Sequence, residues 1–115
     1  MTGPDTTGPD TTATDRYFHL KEAEDATAVL AVFATDATVV DDGRTYRGLE
    51  EVRGWLTGAA SEFTTTSTRL SVERDGDAVD VLVRVEGDFP GGRVDLHHRF
   101  TTDAAGRVAT LTIAP

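Results

Sequence analysis

The chain contains no cysteine, and only one methionine and one tryptophan, in 115 residues. Without cysteine there are no disulfides, no thiol nucleophiles and no thiolate metal sites, and the redox compartment leaves no trace in the sequence. Long apolar runs are missing as well. Nothing approaches the ~20 consecutive apolar residues that cross a bilayer, and the N-terminus lacks the basic start and apolar stretch of a signal peptide. A cytoplasmic location without a membrane partner is therefore expected. Basic residues are scarce and scattered, eleven Lys and Arg against twenty Asp and Glu, for a formal net charge of −9. Nucleic acid, which demands clustered cations, is not an expected partner; the acidity serves solubility. There is no phosphate loop, no Gly-x-Gly-x-x-Gly and no Gly-x-Ser-x-Gly elbow, so no cofactor is expected.

What is present suits one domain with one core. Residues 2–6 and 7–11 repeat Thr-Gly-Pro-Asp-Thr, which carries nothing apolar to bury. The sequence predicts a disordered tail over 1–13 and a single domain over 14–115. Helical spacing begins at Thr14, with Tyr17, Leu20 and Glu24 on one face to about Ala23. Asp25 has the character of an N-cap for a second helix whose stripe is Ala26, Val29, Leu30 and Phe33. A short strand, Thr38-Val39-Val40, leads through Asp42-Gly43 into Arg44-Thr45-Tyr46. Gly48 opens a third helix with Glu50 and Glu51 in its first turn. Its apolar face is Leu49, Val52, Leu56 and Phe63, with Trp55 beside it, and Gly58 is an early stop. The remainder alternates as strands: Thr64–Glu73, Ala78–Glu86, Arg93–Thr101 and Val108–Ile113. Helices early and an antiparallel meander late make an α+β layout.

The stretch Phe33-Ala34-Thr35-Asp36-Ala37-Thr38-Val39-Val40-Asp41-Asp42-Gly43-Arg44-Thr45-Tyr46-Arg47-Gly48-Leu49-Glu50-Glu51-Val52 resembles the central signature of the NTF2-like superfamily, which includes SnoaL-like and ketosteroid-isomerase-like domains. The resemblance implies a cone, a curved antiparallel sheet wrapped around three helices from the N-terminal half, with an apolar pocket inside. It also implies a homodimer through the outer sheet face. Such folds host isomerases, cyclases, dehydratases, epoxide hydrolases and non-enzymes, so the fold alone does not give the chemistry.

Two segments resemble the ketosteroid isomerases more closely. Arg16-Tyr17-Phe18 matches the helix whose Tyr donates to the substrate oxyanion. Ala37-Thr38-Val39-Val40-Asp41 matches the strand end whose Asp shuttles the proton. An acid at the lip of an apolar cavity, opposite a phenol, suits enolate chemistry; the last of these principles has ketosteroid isomerase as its own worked example. The pattern departs at Leu96-His97-His98-Arg99-Phe100, where Leu96 stands at the position of the second oxyanion donor. Asp95 is adjacent, but strand neighbours point to opposite faces.

Each candidate also has a plain structural reading. Asp41 beside Asp42-Gly43 is a turn residue if not a base, and Tyr17 is a core aromatic if not an oxyanion donor. His97 and His98 diverge as strand neighbours and cannot chelate one ion, so no metal site is expected. His98 shares the inward face with Leu96 and Phe100, as core histidine or as general acid–base. His97, Asp95, Arg84 and Arg99 belong outside, and His19 is exposed. The expected pocket wall is Trp55, Phe33, Phe63, Leu96 and Phe100. Three functions stay open: a cofactor-independent isomerase or cyclase moving a proton on a hydrophobic carbonyl compound through Asp41, Tyr17 and His98; a non-catalytic ligand-binding or dimerisation module; or an accessory domain that meets a partner through its acidic surface and tail.

Overall fold

Asp25 both interrupts and restarts the helical N-terminal region. Helix α1 (Thr12–Glu22) ends where Glu24 turns to φ 57°, and the Asp25 side chain accepts from the Ala28 amide at 3.0 Å to open α2 (Ala26–Leu30). This is the N-cap bond the sequence predicts. The computed structural model describes residues 12–58 and 63–115. The expected tail therefore lies outside the described residues up to residue 11. Thr12 and Ala13 belong to α1 instead, and Ala13 is buried against the core.

Helix α2 is only five residues long and stops before Phe33. That residue starts strand β1 (Phe33–Asp41) rather than closing a helical stripe. Its spacing from Val29 suits a helix, but Phe33 is buried among Tyr17 and its neighbours, and packing outweighs local period. Asp42 and Gly43 follow with φ of 53° and 73°, the two positive values of a tight hairpin turn, and β2 (Arg44–Arg47) returns beside β1. Helix α3 (Gly48–Thr57) ends at Gly58, whose amide donates to the Gly54 carbonyl at 3.0 Å. Because Gly58 stops it, Phe63 is not on its face. Phe63 is exposed and rests on Phe89 at 6.0 Å between ring centres.

Four strands complete the chain, β3 (Thr65–Asp75), β4 (Ala78–Gly87), β5 (Arg93–Thr102) and β6 (Val108–Ala114). The sheet order is β2-β1-β6-β5-β4-β3. It is curved and unclosed, and it is mixed rather than wholly antiparallel, because β6 lies parallel to β1. Period-two alternation reports which residues face inward and carries no information on strand direction. The concave residues Val39, Leu111, Phe100 and Val79 face one another across four strands. Together with Tyr17, Phe18, Val29, Val52 and Trp55 they form the core.

Gly87 shows how closely β3 and β4 approach at the open end of their hairpin, away from its turn. A Cβ there would stand on the Thr64 carbonyl oxygen and 2.9 Å from Thr65 Cγ2. Gly87→Ala is expected to lower stability by about 1–3 kcal/mol, measured as a shift in the urea midpoint. A smaller effect would mean that Thr64 moves freely.

Candidate functional site

The end of β1 sets the first candidate group. Asp41 sits opposite Ile113 of β6, Ile113 opposite His98 of β5, and His98 opposite Val81 of β4. Residues paired in register share a face, so Asp41 and His98 lie in one row on the concave side, two strands apart. At the usual strand spacing their backbones are roughly 10 Å apart. Past this row the concave side opens. Val81 and Val83 are sealed, whereas Leu96, Val85 and Val94 on the next two rows are half-buried.

Asp41 is held from the helix side. Trp55, fully buried on α3, donates its indole N–H to Asp41 Oδ2 at 2.9 Å. Buried tryptophan needs such an acceptor, and here the acceptor is the candidate base. Trp55→Phe keeps the ring and removes the donor. It is expected to cost about 1.5–3 kcal/mol, the range for a hydrogen bond to a charged group. Denaturation followed by circular dichroism measures this; no change in midpoint would show that the bond contributes nothing.

Helix α1 brings the remaining groups. Tyr17 is 1% exposed. Burial, then the negative charge of Asp41, hold its phenol above the ordinary tyrosine range, so it remains a neutral donor. Its hydroxyl hydrogen-bonds to none of the described residues, while its ring meets Phe18, Phe33 and Phe100 edge-on. Lys21, one turn further along α1, is half-buried; burial lowers its ammonium pKa and Asp41 opposes that shift. Lys21 was not among the residues singled out from sequence. Its spacing of four from Tyr17, on the same helix face, is the signal that would have found it.

His98 packs beside the Phe18 and Phe100 rings, 5.4 and 6.4 Å from their centres, and those two rings also touch each other at 5.8 Å. Burial pushes its pKa down to about 4, the Leu96 backbone and Asp80 oppose this, and the Lys21 charge adds to it. Its Nδ1 is buried and hydrogen-bonds to no described residue. A neutral imidazole with an unengaged nitrogen is chemically available.

The structure thus brings Asp41, Tyr17 and His98 to one concave side. The expected wall is divided. Phe33, Trp55 and Phe100 are sealed in the core, Leu96 is half-buried at the opening, and Phe63 is outside with Phe89. His97 points outward to Asp80 at 2.8 Å, and Arg84 pairs with Asp95 at 2.9 Å on the same outer face. Clefts of about 290 and 250 Å³ lie beside the start of α1 and on the outer sheet face. Neither is inside the cone. Among the described residues no helix is long and apolar enough to cross a membrane.

Comparison with known proteins follows the same lines. The SnoaL-like domain family matches residues 14–111. A putative polyketide cyclase from Sinorhizobium meliloti is 32% identical, with a TM-score of 0.83 over 89% of this chain and 93% of its own. A Mycobacterium tuberculosis protein in complex with estradiol-17beta-hemisuccinate is 18% identical, with a TM-score of 0.78 over 95% of each chain. The Delta 5-3-ketosteroid isomerase of Mycobacterium sp. is 18% identical, with a TM-score of 0.77 over 95% of this chain and 94% of its own. The latter two likenesses concern the fold. No curated protein matches the chain.

Proposed function

Because the chain belongs to the SnoaL-like family, we propose that its concave side binds a small hydrophobic carbonyl compound and moves a proton on it, as an isomerase or cyclase would. One observation carries this reading. Asp41, the Tyr17 phenol and the His98 imidazole, whose Nδ1 bonds to no described residue, lie on the concave side beside half-buried apolar residues. Asp41 accepts a proton from the carbon next to the carbonyl, and Tyr17 donates to the oxygen as charge develops on it. His98, neutral near pH 7, orients the oxygen or returns the proton. Leu96, Val85 and Val94 hold the apolar body.

The steroid bound by the Mycobacterium tuberculosis protein and the 32% identity to a putative polyketide cyclase favour fused-ring or polyketide-like guests. A homodimer through the outer sheet face belongs to the same proposal. A binding module without chemistry is the second reading, favoured by the closure of Phe33, Trp55 and Phe100 into the core. The experiment that separates them is deuterium uptake at the central carbon of pentane-2,4-dione, with the parent protein and with Asp41→Asn. Uptake at the buffer rate with the parent would leave only the binding module.

A further inference from the structure

A second site lies at the opposite end of α1 from Lys21. A cleft of about 290 Å³ is bounded by Thr12, Ala13 and Arg16 of α1, by Ala31 and Val32 of the α2–β1 connection, and by Ala105, Gly106 and Arg107 of the β5–β6 turn. Ala13 and Val32 in its lining are buried. Two arginines from distant parts of the chain, Arg16 and Arg107, line it, in a protein where acids outnumber bases twenty to eleven.

Some of the other arginines have carboxylate partners, and others, such as Arg44 and Arg53, pair with none among the described residues. Arg69 pairs with Asp15, Arg84 with Asp95 and Arg99 with Asp75, at 3.0, 2.9 and 2.7 Å. Arg16 and Arg107 have none among the described residues. The acids closest to them in sequence are committed elsewhere. Asp15 holds Arg69, and Asp103 accepts from the backbone amides of Ala105 and Arg107 at 2.9 and 3.0 Å. Those two bonds also shape the turn, with Gly106 at φ 80° bringing Arg107 alongside α1.

We propose that this cleft binds a small organic carboxylate, its apolar body on Ala13, Ala31 and Val32 and its charge between Arg16 and Arg107. Guanidinium pairs suit a planar carboxylate because each presents a fixed fork of donors. The volume sits at the lower end of small-ligand sites, which limits the guest to a body of about one ring. The site is independent of Asp41 and stands whether or not the concave side is catalytic.

Benzoate is a suitable probe, followed by amide chemical shifts at constant ionic strength. Saturable shifts are expected at Ala13, Ala31, Gly106 and Arg107, with affinity at least tenfold weaker in each of Arg16→Gln and Arg107→Gln. Arg93→Gln, at an exposed arginine outside the cleft, is expected to bind as the parent does. Both cleft arginines are exposed, so the variants should fold, and their thermal midpoints check this. Benzyl alcohol, the same body without charge, and inorganic phosphate, the charge without a body, should each bind at least tenfold more weakly. Benzyl alcohol or phosphate matching benzoate, shifts that do not saturate, or parent-like affinity in either cleft variant would each overturn the proposal.

Discussion

Asp41→Asn is expected to slow α-carbon proton exchange by a factor of roughly 10² to 10⁴, the usual contribution of a positioned general base. The substitution suits the question because an asparagine Oδ1 still accepts from the Trp55 indole, now 2.9 Å from the carboxylate. The fold is therefore retained while the basic group is lost. Tyr17→Phe supplies the complementary measurement. If the phenol stabilises the developing oxyanion, its removal lowers kcat with little change in KM, since the interaction strengthens only as charge forms. Equal rates for Asp41→Asn and parent would remove Asp41 as the base.

The second large effect is on stability in acid. His98 titrates near 4 when folded and near its ordinary 6.5 when unfolded. Between these values the unfolded chain binds more protons than the folded one, so stability rises with pH across that window and is lost as pH falls. At 1.36 kcal/mol for each unit, the loss is roughly 2 kcal/mol at pH 5 and roughly 3 kcal/mol below pH 4. Carboxylates also titrate toward the lower end, so the useful quantity is the difference between the parent and His98→Phe, which keeps a ring against Phe18 and Phe100. That difference should grow by roughly 2 kcal/mol in favour of the variant from pH 7.5 to pH 5. Parallel denaturation curves over that range would show that His98 is charged when folded or that the site admits water.

The particular residues show why the sequence was readable where it was. Strict alternation at Val79, Val81 and Val83, and at Leu96, His98 and Phe100, reports the inward face directly, because pleating places alternate residues on one side. The cap at Asp25 and the turn at Asp42-Gly43 are local chemistry and needed no tertiary knowledge. Phe33 and Phe63 were misplaced for one reason. Both sit at helical spacing from apolar neighbours, yet a helix ends before each, at Ala31 in one case and at Gly58 in the other.

The site was legible in its strand residues and less so in its helix residues. His98 follows from strand face alone, and Asp41 from the resemblance of its strand end. Lys21 is a charged residue in a helix, which sequence reasoning assigns to solvent, and its partial burial depends on how α1 lies over the sheet. That Phe100 and Trp55 are sealed, while Leu96 is not, depends on where the helices stop covering the strands. No periodicity encodes that boundary.

The position of β6 has a consequence for how the molecule assembles. The hairpin of β1 and β2 and the meander of β3, β4 and β5 have no strand pairing with each other except through Val108–Ala114. Those seven residues act as a keystone: until they are seated, two separate ribbons each leave an unfinished edge. Native pairing then waits on contacts between widely separated parts of the chain, which slows folding and exposes those edges in the meantime.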